Sequence, residues 1–169
     1  LDLPQFLARA AAMSAEEARR LWEQVLQKVG RSIVNEADGL DAMQVYLAAR
    51  EVISEERLHA ITFGCYPHLM GRVCLAGSLL ADEGLPMACE GDVNGAVGQL
   101  ILASLTDQPT QHTDWLEPLP DGTVVFTHCG SGSFCLAERP ADITLSPVRL
   151  MTQGVCALFP VRPGPVTLL

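Results

Sequence analysis

Between Met87 and Trp115 the chain gathers residue types that could move protons or hold a cation. Met87-Ala-Cys89 is a short apolar run that breaks into Glu90-Gly-Asp92-Val-Asn94-Gly95, and Asp114-Trp115 follows after a long apolar segment. A buried strand that opens into a helix N-terminus is where open α/β sheets place their ligands. Asp92 reads as the cap of the helix that begins at Val93. Glu90 either favours the positive end of that helix or points from the strand end into the crevice beside it. Gly95, next to Asn94, would let backbone or ligand approach closely. Asp114 is a loop carboxylate at a change of pattern, either solvated or facing a site at a domain junction.

Two histidines belong to the same search. His128-Cys129-Gly-Ser131-Gly-Ser133 follows a strand and is rich in small polar residues. A Cys129 nucleophile with His128 as its base would need both side chains together. Neighbours on a strand face opposite ways, so His128 is not expected to activate Cys129, and a loop that touches substrate is the better reading. His68, after Cys65-Tyr-Pro67, lies at the end of the preceding parallel strand. It is either packed or turned toward the same ligand as Glu90.

The elements that must position these groups can be read from periodicity. Ser14 with Glu17 forms a capping-box pattern ahead of a helix over residues 14–29, and Gly30 ends it. A second helix is expected from about Asn35 to Ile53. Leu58–Phe63 and Met87–Cys89 read as strands, with a helix over residues 69–81 between them and another over 93–105 after them. Strand–helix–strand–helix implies a right-handed βαβ unit with a parallel sheet and flanking helices. Beyond Thr106, prolines and glycines punctuate short extended runs at 123–127, 143–145, 155–159 and 166–169. The expectation is therefore α/β over residues 1–107, then the start of a mainly β domain, barrel-like or sandwich, over 108–169. Both ends read as cut, as in the middle of something larger.

Composition excludes several classes. A net charge of −9, with Lys28 the one lysine among 11 basic residues, argues against nucleic acid. No apolar run is long enough to span a bilayer. Residues 1–13 carry an early Asp and Pro and no basic start, so a signal peptide is not expected. The six cysteines lie in apolar runs without a C-x-x-C pair, which reads as buried free thiols in a reducing cytoplasm rather than a zinc cage or redox motif.

The stretch Ala88-Cys-Glu90-Gly-Asp92-Val-Asn94-Gly95 resembles the L-fucose isomerase family, which includes arabinose isomerase-like aldose–ketose isomerases. Leu105-Thr106, Asp114-Trp115 and Thr127-His-Cys-Gly130-Ser-Gly extend the likeness in order, from about Leu58 to Leu169. Glu90 and Asp114, 24 residues apart, are similar in spacing to that family's catalytic carboxylates. The resemblance implies the end of a second α/β domain and the start of a C-terminal β domain. It also implies a ketol isomerase acting on a fucose- or arabinose-like sugar through a cis-enediol. Mn²⁺, or another divalent cation such as Mg²⁺, would be held by Glu90, Asp114 and a histidine from beyond residue 169. His68, Asn94, Trp115, His128 and Ser131 would line the sugar site, in a homo-oligomer, trimer or hexamer. A non-catalytic sugar-binding relative without a complete metal site is the alternative.

Overall fold

The N-terminal third is helical because each apolar stripe is preceded by a side chain that caps it. The computed structural model describes residues 2–169. Asp2 accepts the Gln5 amide at 2.9 Å to start α1 (Leu3–Ala12), and Ser14 accepts the Glu17 amide at 3.2 Å to start α2 (Ala15–Lys28). Asn35 does the same for Asp38 at 2.9 Å ahead of α3 (Glu36–Glu56). Phe6 and Ala10 of α1, and Ala18, Trp22 and Val25 of α2, are buried at helical spacing. They pack on α3, which buries Ala42, Met43, Val45, Tyr46, Ala48, Ala49, Val52 and Ile53. The small residues of that set let neighbouring helices come close.

Between α2 and α3 lies β1 (Arg31–Ser32), for which no strand pattern exists in the sequence. It forms because β6 (Thr144–Val148) runs parallel beside it, with Ile33 N–H donating to the Leu145 carbonyl at 3.0 Å. β7 (Gln153–Leu158) then pairs antiparallel with β6, giving the sheet order β1-β6-β7. β2 (Ile61–Thr62) and β3 (Met87–Ala88) form a separate two-stranded parallel ladder, with α4 (Cys74–Asp82) between them in sequence and α5 (Val93–Thr106) after. β4 (Asp114–Pro118) and β5 (Val124–Thr127) make an antiparallel hairpin whose register shifts between Trp115 and Glu117.

Residues 143–157, assigned by pattern to a separate β-rich module, do not stand apart from the helices. Ile143, Leu145, Val155 and Ala157 are buried in one core with Phe6, Trp22, Met43, Leu75 and Cys89. The change of pattern at residue 107 marks where helices stop, not where the core stops. The expected helix over 69–81 also starts late, at Cys74. Gly71 takes a positive φ of 82° and its carbonyl accepts the Val155 amide at 2.9 Å, so the turn before α4 is held by β7 instead of continuing as helix. Residues 166–169 form no strand, and the β4–β5 hairpin lies largely open, with Trp115 and Leu116 exposed.

Along α5, Val93, Val97, Ile101 and Leu105 form an exposed apolar stripe, while Ala96 and Gln99 are buried on the other side. Among the described residues no helix is long and apolar enough to cross a membrane.

Candidate active site

The end of β3 turns outward in three residues. Glu90 and Gly91 both take positive φ, 61° and 73°, and the Gly91 amide donates to the Phe63 carbonyl at 2.8 Å, which ties the turn to the end of β2. Left-handed backbone costs a non-glycine residue about 1–2 kcal/mol, and such strain gathers at functional positions. The turn leaves Glu90 exposed at the rim, directly above buried Cys89. Asp92 caps α5 as its place in the sequence indicated, accepting the Gly95 amide at 2.9 Å. That bond, followed by the His112 imidazole, holds the Asp92 carboxyl below its ordinary range.

His112 was not singled out by sequence reasoning, yet it joins two parts of the site. Its Nε2 lies 3.2 Å from Asp92 Oδ2, and its ring stacks at 5.2 Å between centroids on that of His128. The only available signal was its place two residues before Asp114. Close approach at Gly95 serves this pair, because a Cβ there would lie 2.6 Å from Asp92 Oδ2 and 2.8 Å from His112 Nε2.

His128 is the centre of the arrangement. Its side chain is 5% exposed, and Nε2 lies 4.0 Å from Oδ2 of Asp114, which is 67% exposed at the start of β4. Burial lowers the His128 pKa below 6.5, opposed by the Asp114 carboxylate and, more weakly, by Glu90, while His112 lowers it further. The imidazole is therefore neutral near pH 7, with two carboxylates acting on it from the surface.

The expectation that His128 and Cys129 face apart is overturned, since His128 Nδ1 lies 3.2 Å from Cys129 Sγ. The alternation rule stops applying because β5 ends at Thr127 and the chain is already turning toward Gly130, whose φ is 98°. Contact with Cys74, 3.6 Å away, raises the Cys129 pKa, so Cys129 is held as a thiol and not as an activated nucleophile. Cys89 Sγ lies 3.6 Å from Ser131 Oγ, and its contact with Cys129 together with burial pushes its thiol up to about 12.

Glu90, Asp114, His128 and Ser131 are thus brought to one region. The other candidates are not drawn in. His68 is exposed in the turn after β2, Asn94 is exposed in the first turn of α5, and Trp115 lies edge-on against Phe126 on the open hairpin, with ring centroids 5.5 Å apart. A cleft of about 420 Å³ lined by Asp82, Leu100, Ser104, Asp107 and Cys135 sits at the opposite end of α5 from Glu90.

No family model matches the chain. It is similar to the sulfoquinovose isomerase of Alkalicoccus urumqiensis, 31% identical over 129 residues that cover 72% of this chain and 29% of that protein. The sulfoquinovose isomerase of Priestia megaterium is 26% identical over 122 residues, covering 69% of this chain and 27% of that protein. That of Clostridium sp. strain MSTE9 is 24% identical and covers 97% of this chain and 38% of that protein. The similarity is therefore to sugar isomerases, and none of these relatives carries the name of fucose isomerase. The chain spans between 27% and 38% of the length of these curated relatives.

Proposed function

We propose that residues 1–169 form part of a sugar aldose–ketose isomerase in which Glu90 and Asp114 are the proton-transfer groups. The observation that carries this reading is two exposed carboxylates acting on one buried neutral imidazole, beside the N-terminus of α5. The similarity to sulfoquinovose isomerases supports it. Sulfoquinovose, the sugar in the relatives' names, is the first substrate to test, with fucose- and arabinose-like sugars as the alternatives from the sequence resemblance.

Carboxylate oxygens at the rim are the hard donors that Mn²⁺ or Mg²⁺ prefers, so Glu90 and Asp114 fit two positions of such a site. A histidine from outside these residues is proposed as the third ligand. When bound, the cation would polarise the sugar carbonyl and lower the cost of enediolate charge. Among the chain's own residues, one carboxylate takes the proton from C2 of the open-chain sugar and the other, in its protonated form, delivers one to C1, while the hydroxyl proton passes from O2 to O1 through the enediol. His128, neutral and buried, can donate its Nε2–H toward Asp114 and so orient that carboxylate. Ser131 and the backbone of the 128–133 loop form the adjoining wall. The exposed apolar stripe of α5 supports a homo-oligomer, with the stripe as a contact between copies.

The test is turnover of sulfoquinovose, fucose and arabinose by the natural protein with Mn²⁺, and solvent deuterium incorporation at the migrating position. Glu90→Gln and Asp114→Asn are each expected to lower kcat by about 10²–10⁴-fold. Activity within a few-fold of wild type in either variant would remove that residue from the mechanism. Sugar binding with no isomerisation in the wild-type protein would favour the non-catalytic alternative.

A further inference from the structure

Behind the two rim carboxylates, the fold collects sulfur. The donor atoms of Cys89, His128 and Cys129 all lie within 4.8 Å of one another, and among the described residues no other group of three or more His, Cys, Asp or Glu side chains converges this closely. They come from different segments: Cys89 directly follows β3, while His128 and Cys129 follow β5. Cys74, the first residue of α4, is fully buried and places Sγ 3.6 Å from Cys129 Sγ.

The geometry points to a site for one thiophilic cation of the Zn²⁺ type, held by Cys89, Cys129 and His128 with Cys74 as the fourth donor. A tetrahedral zinc with Zn–S near 2.3 Å and Zn–N near 2.0–2.1 Å separates its donors by about 3.5–3.8 Å. The Cys74–Cys129 distance of 3.6 Å already matches such an edge, and the Cys129 Sγ–His128 Nδ1 distance of 3.2 Å lies slightly inside it. The separations among Cys89, Cys129 and His128, up to 4.8 Å, close by about 1 Å when these three donors turn onto a common ion, and Cys74, which touches only Cys129 and lies outside that group of three, must turn further to join as the fourth.

The surroundings of the imidazole match as well. A histidine that binds metal through one nitrogen characteristically donates its other N–H to a carboxylate. His128 has Nδ1 on the sulfur side and Nε2 toward Asp114, 4.0 Å away. Binding replaces three thiol protons, released to solvent, with one divalent cation, and no electron is transferred. The site is thiol-rich and buried, unlike the exposed carboxylate pair of Glu90 and Asp114, so the two would select different metals. Its consequence is mechanical: the ion would clamp α4, β3 and the 128–133 loop together directly behind the rim.

Co²⁺ is the probe, because tetrahedral thiolate ligation gives intense visible bands that neither carboxylates nor water produce. The reduced full chain, stripped with chelator, should bind one Co²⁺ with these bands, and one equivalent of Zn²⁺ should bleach them. Cys129→Ser, at a partly exposed position, should weaken binding at least tenfold. Asp114→Asn should weaken it by about 10–100-fold through the imidazole. Cys135→Ser, outside the cluster, and Glu90→Gln should leave it unchanged, which separates this site from the proposed carboxylate site. Circular dichroism confirms that each variant is folded. Absence of tetrahedral bands in the folded wild-type chain, or their persistence in folded Cys129→Ser, would overturn the assignment.

Discussion

Gly130→Ala is the perturbation that links fold and site most directly. Gly130 follows His128-Cys129 at φ 98°, and its carbonyl accepts the Ala157 amide of β7 at 2.9 Å. A Cβ built there meets Cys156 Cβ at 2.7 Å and the Ala157 carbonyl oxygen at 2.9 Å. Three costs follow. Positive φ in a non-glycine residue costs about 1–2 kcal/mol. Forcing a methyl against packed backbone costs about 1–3 kcal/mol. Losing the bond to Ala157 costs about 1 kcal/mol. Together these give about 3–6 kcal/mol, a large fraction of a typical domain's stability. At about 2–4 °C per kcal/mol for a chain of this size, Tm should fall by roughly 6–24 °C. Gly122 provides the control, since it also has positive φ, 85°, but nothing within 4 Å of its Cβ position. Gly122→Ala should therefore cost only the conformational part, about 1–2 kcal/mol. Urea and thermal unfolding of both variants measure the difference. If Gly130→Ala costs no more than Gly122→Ala, the loop is not packed against β7 as described, and the placement of His128 loses its support.

Further outcomes can be checked on the same material. Ser133, fully buried, donates to Asp82 Oδ1 at 2.5 Å, so Ser133→Ala should destabilise by about 1.5–3 kcal/mol in urea unfolding, and a loss below about 0.5 kcal/mol would count against that bond. Because burial lowers the folded His128 pKa below its unfolded value of 6.5, the unfolded chain binds the extra proton more readily. In the metal-free chain its contribution to stability is present above pH 6.5 and is lost as pH falls from 6.5 toward the folded pKa. His128→Gln should flatten that limb of the urea-midpoint profile, and an unchanged acid slope would show that His128 is not the group responsible.

Local grammar was enough for α2, α3 and α5 and for the position of the turn that carries Glu90, whereas α1 was not read from the sequence and α4 starts later than its pattern suggested. Ser14 with Glu17 and Asp92 with Gly95 are interactions three residues apart, so the chain itself holds both partners. The break after Cys89, where an apolar run meets two carboxylates and two glycines, likewise placed the positive-φ turn at Glu90 and Gly91 without any knowledge of what lies beside it.

What tertiary structure decided is everything that needs a distant partner. β1 has no sequence signal and exists because β6 runs beside it; without that pairing, residues 143–157 looked like a module of their own. The three cysteines and His128 behave the same way. Cys74, Cys89 and Cys129 lie far apart in the chain and lack any spacing motif, so sequence spacing could only dismiss them as packed thiols. A short-range motif specifies a metal cage only when neighbouring residues supply its donors. Here the donors come from α4, the end of β3 and the loop after β5, and the fold alone brings them behind Glu90 and Asp114.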